Sequence, residues 1–268
     1  MQVHVAQLAG GDNNADRVFV TDRAVIVLDG ATAFEPVDVD PGTYADTLGA
    51  TIADQLDHQP DLDLSGAVAE AIRSTTANLH LNSEASPSCT VAILRAGHGA
   101  ADLYVLGDSP IYYGTDRTTN RFGDDRLAAL PLAERTRYVE ALRSGAGYDE
   151  CHRATLADLQ RVQRCYRNRA DGYWIAETDP TAADHGLTAV IPAGRIAWAV
   201  LATDGAADLV DHRGRPEWSD VAQLDHGGLT GLLRRLHEWE STDDPQGRLL
   251  PRAKRHDDKT LATVPAVL

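Results

Sequence analysis

Apolar residues along the chain fall into two patterns. Short runs rich in Val, Ile and Ala, bounded by Gly, Asp, Thr or Pro, read as strands. They lie at Arg17–Val20, Ala24–Asp29, Thr90–Ala96, Ala101–Gly107, Ile111–Tyr113, Ile196–Thr203 and Thr260–Val267. The turns at Thr21-Asp22-Arg23 and Gly97–Gly99 predict two hairpins, and consecutive hairpins favour antiparallel sheet. Elsewhere the spacing becomes helical. Ala45, Leu48, Gly49, Ile52 and Leu56 share one face, with Thr43 as the expected N-cap. A second helix is predicted from Leu64 to Leu81 through Val68, Ala71, Ile72, Thr75 and Leu79. A later one ends at Trp239 and begins near Ser219 or Leu229. Strands, a pair of helices and further strands predict an α+β fold with helices covering the sheets.

A length of 268 residues allows one large domain or two small ones. With 43% apolar residues the chain can bury a sizeable core. The 25 basic and 40 acidic residues leave a formal charge of −15, which argues against a nucleic-acid partner, because binding a phosphate backbone needs a basic surface. The middle of the chain departs from this balance. From Arg117 to Arg169 eleven arginines face seven acids, and helices are predicted over Leu132–Arg143 and Thr155–Tyr166. This Arg-rich excursion, over about residues 117–175, is either a solvated helix face or a patch that attracts a phosphorylated partner. Cys89, Cys151 and Cys165 form no C-x-x-C pair and are odd in number, which suits a reducing cytoplasm. The opening "MQVHVAQLAGGDNN" carries no signal-peptide pattern. The longest apolar run, Ile196 to Ala202, is far short of the roughly 20 residues that span a bilayer, so no membrane association is expected.

Candidate chemistry sits at the strand ends. "AVIVLDGATAFEP", from Ala24 to Pro36, and "IAWAVLATDGAAD", from Ile196 to Asp208, both aim an apolar strand at an Asp-Gly pair. Asp108 ends "LYVLGDSP" in the same way, and Asp257-Asp258 precedes the last strand. Taken singly, each Asp reads as a turn former. Gathered at one sheet edge they repel one another and require protons or cations, and oxygen ligands suit Mg²⁺ or Mn²⁺. No P-loop, G-x-S-x-G elbow or H-E-x-x-H zinc motif occurs, and Ser109 and Cys89 read as structural.

The ordered set resembles the metal-dependent protein phosphatases (PPM, or type 2C, Ser/Thr phosphatases), in a divergent bacterial form. "NAD" at Asn14–Asp16 is similar to the family's N-E-D, and "VLDGAT" to its D-G-x-G strand end. "SCTVAIL" at Ser88–Leu94 is similar to its G-[ST]-T-A strand. "LGDSP" resembles G-D-S-R, "LATDGAAD" the S-D-G-x-x-D segment, and "DDKT" at Asp257–Thr260 the D-[DN]-x-[ST] segment. Six motifs in order span nearly the whole chain.

The resemblance implies a single domain over residues 1–268, built as a four-layer αββα sandwich of two stacked antiparallel sheets flanked by helices. It implies a dinuclear Mg²⁺ or Mn²⁺ site at one edge. By position, Asp29 bridges the two ions and the Gly30 carbonyl ligates one. Asp204 and Asp257 hold the other, and Asp16 acts through metal-bound water. Asp108 and Asp208, with Asp204, match a weaker third metal. The implied reaction is attack of a metal-activated water on the phosphorus of phosphoserine or phosphothreonine in a protein substrate. The chain departs from the family at Gly11, where many members carry a phosphate-gripping Arg, and at Ala15, Ala31 and Thr32. Arg252, Lys254 and Arg255, with His256, are candidates for substitute phosphate contacts. A pseudophosphatase that binds a phosphorylated partner without turnover, and a phosphatase of small phosphoesters, are the competing readings.

Overall fold

The computed structural model describes residues 1–31, 37–116 and 118–267. Two five-stranded antiparallel sheets stack face to face. One runs in the order β1 (His4–Leu8), β10 (Lys259–Val264), β9 (Trp198–Ala202), β6 (Ile111–Thr115) and β7 (Thr118–Phe122). The other runs β2 (Arg17–Val20), β3 (Ala24–Leu28), β4 (Val91–Ala96), β5 (Ala100–Leu106) and β8 (Leu187–Pro192). Their facing sides interdigitate through Val25, Val27, Leu94 and Leu103 from one sheet and Ile111, Leu201 and Val264 from the other, all essentially solvent-free.

Helices close both outer faces. On the second sheet lie α1 (Pro41–His58) and α2 (Leu64–Asn78), whose Leu48, Ile52, Val68 and Ile72 pack on Ile26, Leu28 and Ile93. The first sheet is covered by α6 (Asp204–Arg213), α7 (Trp218–Val221) and α8 (His226–Thr242), through Leu209, Val210, Leu232 and Leu236. The short α3 (Arg126–Ala129), α4 (Ala133–Ser144) and α5 (Glu150–Tyr166) form the excursion between β7 and β8. They carry a small core of their own, Leu132, Leu156 and Leu159. The result is the α+β sandwich of two antiparallel sheets expected from the sequence. No helix among the described residues is long and apolar enough to cross a membrane.

Differences from the sequence reading have local causes. Helix α1 is capped by Asp40, not Thr43: the Asp40 carboxylate accepts the Thr43 N–H at 3.1 Å, and Pro41 occupies the first turn. Helix α5 begins at Glu150, five residues before Thr155, because Asp149 accepts the His152 N–H at 2.8 Å. Strands β1, β7 and β8 are additions to the strands expected from the sequence. All three are edge strands, and β8 alternates half-buried with exposed positions, including Val190 at 69% exposure. Such strands are defined by their pairing, not by burial of both faces. Thr32, the last departure of the D-G-x-G-like tail, lies outside the described residues, as does Arg117.

Candidate metal centre

Strand β3 is buried along its whole length between β2 and β4, so its register fixes where the next residue emerges. That residue is Asp29. Its N–H donates to Thr90 Oγ1 at 3.3 Å, and its carbonyl accepts the Thr90 N–H at 2.9 Å. Thr90 Oγ1 lies 2.5 Å from Ser109 Oγ, so the buried Ser109 hydroxyl braces the strand end. Gly107, at φ 91°, makes this approach possible: a Cβ there would stand 2.9 Å from Thr90 Cγ2. Cys89 is fully buried, and burial followed by the nearby Asp29 charge pushes its thiol well up, which leaves it protonated. The bridge between Gly30 and Cys89 uses the Ala31 N–H and the Asp29 carbonyl and leaves the Gly30 carbonyl out of the ladder.

The second Asp-Gly pair is built differently. Asp204 is the first residue of α6, not a turn residue between strands. Gly205 serves close packing: a Cβ would stand 2.1 Å from the Asp258 carbonyl oxygen. Gly10 presses on the same segment, with the Asp257 carbonyl carbon 2.5 Å from where its Cβ would be. Asp258 ties the segment down by accepting the Gly10 and Ala15 N–H groups, each at 2.8 Å. Asp257 is thereby carried to the sheet edge that Asp29 and Asp204 occupy.

The acids meet there. Asp29 stands among Asp16, Asp204 and Asp257, each of which acts on its carboxyl. Burial, then Asp16, Asp204 and Asp257, push the Asp29 carboxyl well above its ordinary value. Asp257 is also raised, by burial, against the opposing pull of Lys254. Asp108 and Asp208, both raised to about 7, owe their shifts first to removal from water and next to the charge of Asp204. Asp204 is thus the acid shared between an inner group and an outer one.

Asp16 is the deepest member. Its Oδ2 accepts from Thr203 Oγ1 at 2.9 Å and Thr260 Oγ1 at 2.7 Å, and burial lifts its pKa to about 7. Its Oδ1 is buried with no hydrogen-bond partner. A crowd of oxygen donors, most of them driven toward protonation by one another, with one orphaned carboxylate oxygen, fits hard divalent cations. The donors are not drawn tight, however. Among the described residues, the one set of three side chains with ligand atoms within 4.8 Å of one another is His237, Glu240 and His256. That set is already neutralised. Glu240 is contacted by Lys259 Nζ at 2.8 Å, His256 Nδ1 at 2.9 Å and Arg252 Nε at 3.4 Å.

The three candidate phosphate contacts are placed unequally. Arg252 lines the cleft, but its guanidinium also binds Asp244 at 2.7 Å. Lys254 Nζ lies 2.5 Å from Asp257 Oδ1. Arg255 is exposed and reaches the Ser241 carbonyl at 3.4 Å. A cleft of about 340 Å³ opens from Asp108, Asp204, Asp208 and Asp257 toward Arg135, Tyr138 and Gln163 of the excursion. Arg135 is spent on the carbonyls of Leu127, Ala128 and Leu130, and much of the excess positive charge of the excursion is likewise paired, as in Arg126–Asp124, Arg161–Asp158 and Arg167–Glu177.

The sequence reading missed Lys259 and Glu240. Lys259, fully buried, bonds both Glu240 and the Asp257 carbonyl, at 2.8 Å each, and so holds the loop that presents Asp257. The available signal was its rarity: it is one of only two lysines, inside an apolar strand.

Solved structures place this architecture. The PPM Ser-Thr phosphatase MsPP from Mycobacterium smegmatis, in complex with cacodylate, superposes with TM-score 0.56 at 18% identity, over 99% of this chain and 98% of that one. The catalytic domain of the serine/threonine phosphatase PstP with two manganese ions gives 0.57 at 15% identity, over 98% and 96%. A bacterial serine phosphatase gives 0.61 at 10% identity, over 100% and 98%. The chain has the PPM phosphatase fold. No protein-family model and no curated protein sequence matches it. Within the PPM fold the Asp-bearing strand ends lie together, while two departures show structurally. Gly11 is exposed, with nothing within 4 Å of a Cβ built there, and the Ala15 Cβ lies 2.8 Å from where a Gly30 Cβ would be.

Proposed function

We propose that the protein is a metal-dependent phosphatase acting on phosphoserine or phosphothreonine in proteins. The observation that carries this reading is the crowding of the Asp29, Asp204 and Asp257 carboxyls about the orphaned Asp16 Oδ1, at the edge of a PPM-fold sandwich. Asp29, Asp204 and Asp257, with the Gly30 carbonyl, would hold two Mg²⁺ or Mn²⁺ ions. Asp16 would orient bound water, and Asp108 and Asp208 would take a third ion with Asp204. Bound there, such ions lower the pKa of a water and neutralise charge on the phosphoryl oxygens. The chain's own part is to hold these carboxylates against mutual repulsion, which it does through the Thr203 and Thr260 hydroxyls on Asp16 and through Lys259 on the Asp257 carbonyl. Arg252 faces the cleft, where it can meet a phosphoryl oxygen.

A second reading, a phospho-partner binding module with little turnover, is favoured by the pairing of Asp257 with Lys254 and by Gly11 standing where many PPM members carry an Arg. One assay separates the two. Purified protein with Mn²⁺ is tested on p-nitrophenyl phosphate and a phosphothreonine peptide beside Asp204→Ala. Turnover in the wild type that is lost in Asp204→Ala supports the enzyme. Equal turnover in both, or none in either with Mn²⁺ bound, overturns it. Preference for nucleotides over the peptide would move the substrate to small phosphoesters.

A further inference from the structure

Lys254 stands where a cation is wanted. It is one of two lysines in a chain of 25 basic residues, and it lies three residues before Asp257. Its Nζ is 2.5 Å from Asp257 Oδ1, with 28% of the Lys254 side chain and 29% of the Asp257 side chain exposed. Burial works against the Lys254 charge, yet Asp257 foremost, then Asp29 and Asp258, hold its pKa above the ordinary lysine value. The consequence is visible in the donors. Asp29 and Asp204 lean on each other, while Asp257 is turned to the lysine, and the three carboxylates are not gathered within 4.8 Å.

We infer that Lys254 is a tethered monovalent competitor for the metal centre: its ammonium occupies Asp257 and must be displaced before a divalent ion can take that carboxylate. The inference rests on the metal-dependent reading above and goes beyond it, because it assigns this chain a built-in threshold for loading. The physical basis is charge exchange. An ammonium supplies one charge and three donors, enough to neutralise one carboxylate, whereas a divalent ion neutralises two and needs both to turn inward. Entry of the ion frees a lysine already inside the cluster, and its flexible stem lets the charge swing toward the cleft. In the metal-free state the ammonium offsets the charge that Asp257 would otherwise add, uncompensated, beside Asp29 and Asp204.

The test is Mn²⁺ binding by titration calorimetry, with bound Mn²⁺ counted by electron paramagnetic resonance, on the whole chain at constant pH. Wild type is compared with Lys254→Met, which keeps the stem and removes the charge, and with Lys254→Arg, which keeps a charge. Lys254→Met is expected to bind the ion at Asp257 about tenfold more tightly, the change that an ion pair of about 1.4 kcal/mol would produce. Lys254→Arg is expected to stay near wild type. Thermal melts supply an independent check on folding. Metal-free Lys254→Met should melt below wild type, and the gap should close at saturating Mn²⁺. Unchanged or weaker Mn²⁺ binding by Lys254→Met, with wild type binding normally, overturns the competitor role and leaves the metal centre intact. No Mn²⁺ bound by either protein overturns both the competitor role and the metal-dependent reading.

Discussion

Asp29, at the end of β3, and Asp204, the first residue of α6, crowd one another at the sheet edge: burial first, then the charges of Asp16, Asp204 and Asp257, push the Asp29 carboxyl well above its ordinary value. Asp29→Asn would give Asp204 a neutral amide donor in place of a second acid. The metal-free variant is expected to melt about 2–4 °C above wild type, the shift that about 1 kcal/mol of relieved repulsion gives at this size. The same variant should lose Mn²⁺ binding and turnover. A melting point at or below wild type, read by circular dichroism without metal, would show that the pair is not under strain.

The pH dependence of the metal-free fold follows from the direction of the shifts. Asp16, Asp29, Asp108, Asp208 and Asp257 all have raised carboxyls in the fold. Raised groups bind more protons folded than unfolded, so their stabilising effect is complete below about 4 and is lost as pH rises through the folded values, about 7 for Asp16, Asp108 and Asp208. His237, whose pKa is lowered by burial first and then by His256 and Lys259, acts oppositely, but it is one group against five. Metal-free protein should therefore melt higher at pH 5.5 than at pH 8. Saturating Mn²⁺ should reverse the order, because cations then replace protons. Melts at both pH values, with and without Mn²⁺, check this.

The sandwich was legible because its central strands announce themselves: Ala24–Leu28 and Trp198–Ala202 are buried along their whole length and have no polar residue to confuse the pattern. The acids at their ends could be read by position, since a strand fixes where its last side chain emerges. What the sequence could not carry was polar pairing across distance. Arg252 read as open to a phosphate, yet its partners Glu240 and Asp244 meet it only through folding of the 244–257 loop against α8. Edge strands such as Thr118–Phe122 escaped for a related reason, as their identity lies in the neighbour they pair with.

Lys259 and Glu240 form a fully buried ion pair under the Asp257 loop. Removing one partner of such a pair leaves an uncompensated charge, and Lys259→Met is expected to cost about 3–5 kcal/mol of stability. Arg252 and His256, which also face Glu240, keep the loss toward the lower end of that range. Urea denaturation measures it. Mn²⁺ affinity should fall as well, because the Asp257 carbonyl loses its only described lysine donor. A loss below about 1 kcal/mol, the size of an exposed pair, would show that the hub is not structural.

Gly11 offers a gain-of-function test of the whole site. It is exposed, its φ is not positive, and a Cβ there meets nothing within 4 Å, so a long side chain can be added without strain. The position lies five residues before Asp16, where the resembling family carries a phosphate-gripping Arg. Gly11→Arg would supply a planar, bidentate donor to a phosphoryl group held at the acidic edge. Charge-assisted hydrogen bonds are worth about 1.5–3 kcal/mol each, so KM for a phosphothreonine peptide should fall by roughly tenfold or more. The melting point should stay near wild type, since nothing buried is touched. If KM is unchanged while the fold and Mn²⁺ binding are intact, the phosphoryl group does not sit between Gly11 and Asp29, and the substrate approaches from the Arg252 side of the cleft instead.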